Sequence, residues 1–370
     1  MTDPATGPST PRLLQIAQAR RSVMDQGRPA TDVLAGGWGD GAWIARSWRR
    51  CLEAGQRPQE RVAFDVVPEQ QLRRVREANR QLVTAARPVL EQLGRAISST
   101  RYFAILTNQD GVVVDAHGAI DATDRRATLI TRTGADLSER SVGTTAIGAA
   151  LAELQPVWLH RGEHFFDATG CYSCAGAPLF GPDGACVGML DLTGIDAPER
   201  PELKHLVAQS ARGIENALAL TRPHRLVLRL TWPGRIPGDE ADGLVCLDGD
   251  GWVTASNSAA REMVAGLHGA GRAPVHCSEL FAQPWEPLFD LPQGTEHTAP
   301  VEMPLWSGLR LAVLAQRAGQ ARTAPRLPLR DVEIALIRKA VDDARGNVMA
   351  AARALGISRA TVYRKLAQRR

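Results

Sequence analysis

The chain has 370 residues, 44 Lys plus Arg against 40 Asp plus Glu, and 44% apolar residues, a balance that fits a folded protein of two to four domains. No run of 18 apolar residues occurs, which excludes a membrane-spanning helix and sets membranes aside as partners. Six Cys at irregular spacing make no disulfide framework, so a reducing cytoplasm is the expected location. None of the three Lys (Lys204, Lys339 and Lys365) follows a Gly, which excludes the Gly-Lys-Ser/Thr loop that cradles nucleotide phosphates.

Residues 1–10 carry no apolar core behind a basic start, so they are read as a disordered tail rather than a signal peptide. Residues 11–97 read as mostly helical. Ile44 to Pro58 is amphipathic and closed by Gly55 and Pro58. A longer helical pattern runs from Pro68 to Ile97 on Leu72, Val75, Leu82, Val89, Leu90 and Leu93, with charge on its other face, as expected of a packing and dimerisation helix.

The apolar period changes to two at Arg101. Residues 98–221 hold two hairpins, one turning at Asn108-Gln109-Asp110-Gly111 and one at Gly181 to Gly184. Between them come a loop and short helix from Gly134 to Leu151, a strand from Pro156 to Leu159, and a loop through Cys174. A helix from Glu202 to Leu220 closes the unit. An antiparallel sheet flanked by helices, with long loops over one face, suits a small-molecule sensor. Residues 225–317 repeat the theme with a strand, an Asp-Gly turn, a strand, and a helix capped by Asn257. PVEMPL and GLRLAVLAQ then return as a strand pair, similar to a PAS-type fold that serves dimerisation or relay. Residues 318–328 are a Pro- and Arg-rich linker.

Residues 329–370 read as three helices. The last two are GNVMAAARALGISRATVYRKL, with Asn347 and Ser358 as caps, Gly356 at the turn, Ile357 as its plug, and Val362 and Leu366 facing inward. From Gln320 to Arg370, twelve Arg plus Lys stand against four Asp plus Glu, a net of +8 on a chain whose total is +4. Concentrated cations on a terminal helix-turn-helix point to double-stranded DNA as partner. The expected contact residues are Ser358, Arg359, Ala360, Thr361, Tyr363, Arg364 and Lys365. Arg is suited to bidentate guanine contacts, and Lys and Thr to phosphate.

This terminus resembles the Fis-type helix-turn-helix. The segments ARSWRRC, TNQDGVVVDAHG, ERSVGTTAIGAAL, Glu163-His164, CAGAP and GPDGACVGMLDLTG resemble the sensory half of the acetoin catabolism regulator (AcoR) family, which implies a GAF-like domain preceded by helices. The implied fold class is α+β multidomain: a helical N-terminal region, a GAF-like antiparallel sheet domain, a PAS-like α+β domain and an all-α helix-turn-helix. The chain departs from the family at Thr145, usually Asn, and at Ala175, usually Ser. It also has about 90 residues where AcoR-like activators carry a sigma-54 ATPase module.

The resemblance carries His164 and Cys174 into a ligand pocket. Tyr102, Phe103, Trp158, Glu163, Phe165 and Asp191 complete the expected effector set, with aromatic walls and a few orienting polar groups. Cys171 and Cys174 with His160 and His164 also make His-x3-His-x6-Cys-x2-Cys, which leaves open a metal site or a thiol pair. No catalytic motif and no cofactor signature occurs. The expectation is a homodimeric DNA-binding regulator that senses a small metabolite and acts on RNA polymerase by binding alone. Two alternatives stand beside it: a thiol enzyme or redox sensor using Cys171 and Cys174, and a partner that pairs with full-length activators.

Overall fold

The computed structural model describes residues 9–27, 41–235, 237–267, 274–290, 300–318, 341, 344, 347–354 and 357–367. Helix α1 (Ser9–Arg20) begins two residues inside the segment expected to be a tail. Helix α2 (Gly41–Glu53) follows, and the chain leaves it through Gly55 at φ 84°, a left-handed value that glycine takes without strain.

The single helix expected from Pro68 to Ile97 is two, α3 (Glu69–Ala78) and α4 (Arg80–Ala96). They part at Asn79, whose side-chain amide donates to the Val75 carbonyl at 2.7 Å. An Asn side chain that bonds its own preceding turn competes with helix continuation, which is why an unbroken apolar stripe still breaks there.

Strands β1 (Tyr102–Asn108) and β2 (Val113–Gly118) form the first hairpin. Asn108 Oδ1 accepts from the amides of Asp110 and Val112, and Gly111 sits at φ 79°. Helices α5 (Arg125–Thr131), α6 (Glu139–Val142) and α7 (Ala146–Glu153) then cross to β3 (Val157–His160). The second hairpin is β4 (Tyr172–Phe180) with β5 (Cys186–Ile195), closed by Gly184 at φ 87°. The five strands lie in the order β2-β1-β5-β4-β3, all neighbours antiparallel.

Strand alternation splits this unit into two cores. Leu190 and Leu192 face α4 and α8 (Leu203–Leu220), packing with Leu90, Ala104 and Ile214. Met189 points the other way, into a core with Trp48, Ile105, Val142, Ala146 and Phe165. Asp191 and Thr193 stand on that same second face, where an apolar pattern has no use for them.

The second sheet runs β8-β7-β6-β10-β9, from β6 (Leu226–Thr231), β7 (Gly243–Leu247), β8 (Val253–Ser256), β9 (Val301–Pro304) and β10 (Arg310–Arg317). The expected hairpin and returning pair are present, as is the Asn257 cap on α9 (Ser258–Met263), accepting from Ala260 N at 2.8 Å. A strand the turn signals pass over, β6, takes the middle place. Helix α10 (Cys277–Leu280) closes over the core of Leu228, Leu230, Val245, Phe281, Leu311 and Val313.

Helix α8 ties the two units. Glu215 accepts from Phe180 N of the first sheet and from the amide and hydroxyl of Ser258 in the second unit. Asn216 Oδ1 accepts from Asn257 Nδ2 at 2.7 Å.

At the C-terminus, α11 (Val348–Ala354) and α12 (Arg359–Ala367) are capped as expected. Asn347 Oδ1 accepts from Met349 N and Ala350 N, and Ser358 Oγ from Thr361 N, all at 3.1 Å. Ala351, Ala352 and Val362 are buried with Ile357 packed against them. The expected linker beyond residue 318, nearly all of the expected first helix of the terminal segment, Gly356 and the side chains of Lys365 and Leu366 lie outside the described residues.

Candidate functional site

The face of the first sheet that carries Asp191 and Thr193 is roofed by α5, α6, α7 and the 161–169 loop, and a cavity remains beneath the roof. It measures about 350 Å³ counted to its walls and mouth, of which only about 30 Å³ admits the centre of a water molecule. Space of that size suits a ligand of a few heavy atoms. The floor comes from register: Cys174 lies opposite Thr193, and Asp191 opposite Ile105. Tyr172, two residues before Cys174, points to the same side. The roof adds Ile130, Val142, Thr145, Ile147 and His164.

Two polar atoms in these walls have no hydrogen-bond partner, Asp191 Oδ1 and His164 Nε2. Asp191 is fully buried. Its other oxygen accepts from the Thr193 hydroxyl, and burial pushes the carboxyl up to about 7, so near neutral pH much of it carries a proton it can donate. His164 Nδ1 lies 2.9 Å from the Arg161 carbonyl, which places the proton on Nδ1 and leaves Nε2 an acceptor. Burial pushes this imidazole down to about 4, so it stays neutral. A buried polar atom left unbonded costs about 1–3 kcal/mol. The cavity therefore offers one donor and one acceptor within apolar walls, and a ligand that meets both recovers that cost.

Three of the eight expected effector residues meet here: His164, Cys174 and Asp191. The other five do not line the cavity. Tyr102 and Trp158 point to the opposite face, into the core under α4 and α8, and the Tyr102 hydroxyl donates to the Pro198 carbonyl at 2.7 Å. Phe103 and Phe165 pack in the core on the cavity's side of the sheet. Phe165 leaves no room for a side chain at Gly143, where a Cβ would come within 2.9 Å of it. Glu163 is buried against the outside of the roof, bonded to Arg12 at 2.9 Å and to His160 N at 2.6 Å, and burial pushes its carboxyl up to about 7. Sequence reasoning missed Thr193, Tyr172 and Ile105. Period-two counting from Asp191 and Cys174 finds the first two. Of the two departures from the AcoR pattern, Thr145 lines the cavity and caps α7, whereas Ala175 is buried on the far face.

The four candidate metal or thiol residues diverge. His160 Nδ1 pairs with Ser173 Oγ at 2.7 Å, and Cys171, just before β4, faces the Ala168 carbonyl. Residues three apart in extended chain lie about 10 Å apart at the Cα atoms, beyond disulfide reach. Burial raises both thiols, Cys174 well above its ordinary value, so neither is a ready thiolate. Among the described residues no group of three or more His, Cys, Asp or Glu could hold a metal ion.

Two of the sequence motifs turn out to be one structural joint. From ARSWRRC, Ser47 Oγ donates to Glu139 at 2.6 Å and pairs with Thr144 Oγ1 at 2.7 Å, while Arg50 grips both Glu139 oxygens at 2.7 and 2.8 Å. Glu139 and Thr144 belong to ERSVGTT, the segment that carries the roof helices.

On α12, Ser358, Arg359, Ala360, Tyr363 and Arg364 are exposed, with Tyr363 at 61% despite its aromatic ring. Thr361 is half-buried and shares a hydroxyl contact of 2.9 Å with Ser358. An exposed Tyr between two Arg on one short helix makes a cationic face, opposite the one that buries Val362.

The family model "MimR, N-terminal domain" matches residues 19–216, and the model "Bacterial regulatory protein, Fis family" matches residues 328–368. The acetoin catabolism regulatory protein of Cupriavidus necator is 34% identical over 269 residues, 70% of this chain and 39% of that protein. The acetoin dehydrogenase operon transcriptional activator AcoR of Bacillus subtilis is 31% identical over 176 residues, 48% of this chain and 29% of its own length. The propane 2-monooxygenase operon transcriptional activator MimR of Mycolicibacterium smegmatis is 27% identical over 239 residues, 63% of this chain and 38% of the activator. The chain thus spans less than two-fifths of the length of these relatives. Among solved structures, the Escherichia coli DhaR(N)-DhaL complex aligns at a TM-score of 0.45 and 15% identity, over 74% of this chain and 99% of that one.

Proposed function

The chain belongs to the family of the MimR N-terminal domain and carries a Fis-family regulatory segment, and from that premise we propose that it is a transcription regulator that answers to a small uncharged metabolite. The cavity on the first sheet is the effector site. Asp191 donates to the ligand, His164 Nε2 accepts from it, and Cys174, Ile105 and Tyr172 shape the walls. The observation that carries this reading is the pair of unpartnered polar atoms in an otherwise apolar enclosure, an arrangement that lowers stability unless a ligand completes it. Relatives named for acetoin catabolism and for a propane 2-monooxygenase operon support a ligand of this size and charge.

The output is DNA. Arg359 and Arg364 read base edges, and Ser358, Ala360, Thr361, Tyr363 and Lys365 complete the contact set, with Lys365 on phosphate. Two copies act as a homodimer on an inverted repeat, because one small helix-turn-helix gives too little contact for strong specificity. The sequence has no Gly-Lys-Ser/Thr loop, so the protein acts on RNA polymerase by binding, without ATP-driven sigma-54 activation.

Chromosomal occupancy tests the proposal. The tagged protein should occupy sharp sites that an Arg359→Ala, Arg364→Ala double variant loses. Equal, featureless profiles for both folded proteins would contradict it.

A further inference from the structure

The roof segment from Arg161 to Phe165 is a partition with different business on its two sides. Inward it presents the His164 ring to the cavity. Outward it presents backbone carbonyls, and α1 takes hold of them. The Arg20 guanidinium donates to the carbonyls of Gly162 at 3.0 Å, His164, and Phe165 at 3.1 Å, and to Asp167 Oδ1 at 2.7 Å, while lying 5.9 Å over the Trp48 ring. Arg12 holds the buried Glu163 carboxyl at 2.9 Å, and Trp48 Nε1 donates to the Glu163 carbonyl at 2.8 Å. A Cβ on Gly162 would meet Ile16 of α1 at 3.2 Å, so helix and segment touch at the backbone.

Two features make this grip responsive rather than merely structural. Its apolar part is small: Ile16 and Ala19 are buried, but Leu14 is 67% exposed, so much of the hold comes from arginines on carbonyl oxygens. Such bonds weaken steeply once distance or angle leaves the normal range, and a loop shift of about 1 Å suffices. The segment also starts from a held conformation, with Arg161 at φ 48°, a left-handed value that non-glycine residues rarely adopt. The inner contact reaches the outer ones directly. His164 Nδ1 is tied to the Arg161 carbonyl of the same segment, so a ligand drawing on Nε2 pulls on the backbone whose next three carbonyl-bearing neighbours include Arg20's partners.

We infer that α1 is a strap coupled to the cavity: what occupies the space at His164 sets how firmly Arg20 and Arg12 hold residues 9–20 against the sensor. This rests on the cavity being the effector site. Occupancy then has a mechanical outcome at the N-terminal helix, on the surface of the unit, as well as inside it. By reciprocity, loosening the strap weakens binding in the cavity by the same factor that binding tightens the strap.

The test uses the full chain with imidazole as the cavity probe. In His164→Gly, hydrogen exchange of residues 12–20 should rise by about tenfold over the parent, and added imidazole should restore it, while exchange in α8 and β6 stays fixed. Exchange in α1 that ignores both the substitution and the imidazole would overturn the inference. Should His164→Gly fail to fold, Arg20→Ala with Arg20→Lys as the conservative control asks the same question from outside. The 15N signals of His164 should lose their fixed Nδ1–H tautomer in Arg20→Ala and regain it in part in Arg20→Lys. Signals identical to the parent in both would reject the coupling. A metabolite response that survives Asp191→Leu, with α1 still following imidazole, removes the effector reading and leaves the strap; a lost response with an indifferent α1 does the reverse.

Discussion

The two five-stranded sheets are built alike and filled differently. Each is antiparallel, with helices on its faces and Leu, Val and Ile on its strands. In the second, Leu228, Val245, Phe281 and Val313 pack one core, and Asn257 is fully used: Oδ1 accepts from Leu244 N and Ala260 N, and Nδ2 donates to Asn216 and the Asp242 carbonyl. Among the described residues its unpartnered buried atoms, on Asp242 and Arg261, lie outside that core, beside Arg229 and beside the Phe180 ring. In the first, Asp191 Oδ1 and His164 Nε2 point unbonded into the apolar enclosure itself. A sheet selected for stability alone would pair or replace such atoms. The first keeps two unpartnered polar atoms at its cavity, and that difference is the ground on which we propose it, rather than the second, as the sensing sheet.

The comparison can be broken by substitution. The largest effect belongs to the filled core: Phe281→Ala, at a side chain 1% exposed, should cost about 3–5 kcal/mol in denaturant unfolding, with no altered response to metabolite beyond that loss of stability. A change of response at unchanged stability would mean the second sheet also carries a site.

The next effect is a pH dependence. Asp191 is raised in the folded state to about 7, so folding takes up a proton between roughly pH 4 and 7, and its contribution to stability falls as pH rises through that window. His164, lowered to about 4, pulls the other way: its contribution is present above about 6.5 and is lost as pH falls toward 4. The two groups therefore oppose each other, and the difference between parent and Asp191→Asn isolates the carboxyl. The parent should lose up to about 4 kcal/mol relative to Asp191→Asn between pH 4 and pH 7. Parallel profiles would show that Asp191 ionises in the fold as freely as in the unfolded chain.

At the output end the effect is smaller. Arg364→Ala should weaken operator binding by about 1–3 kcal/mol at fixed salt, with preference lost at one base position. An unchanged dissociation constant would remove Arg364 from the contact set.

What the sequence made legible was local. The two hairpin turns, the Asn257 cap, and the Asn347 and Ser358 caps each depend on residues within four positions of one another, and each stands where it was expected. The break at Asn79 was hidden because the apolar stripe continues across it. The strand β6 carries no Asp-Gly or Asn-Gly turn to announce it. The effector set mixed two faces of one sheet, since nothing in RYFAILTN says which side Tyr102 takes until Phe103 is paired with Thr193. Asp191 was found because a carboxylate among leucines is visible in any register. Its partner Thr193 was missed because a threonine in a strand is ordinary.

The central claim is that Asp191 is kept for a ligand at the expense of the fold. The direct measurement is denaturant unfolding of Asp191→Leu beside its metabolite response and operator binding. The account predicts a variant more stable by about 1–2 kcal/mol, because a buried carboxyl with one unpartnered oxygen is replaced by apolar volume, with operator binding intact and the response gone. A destabilised variant that still responds would contradict it.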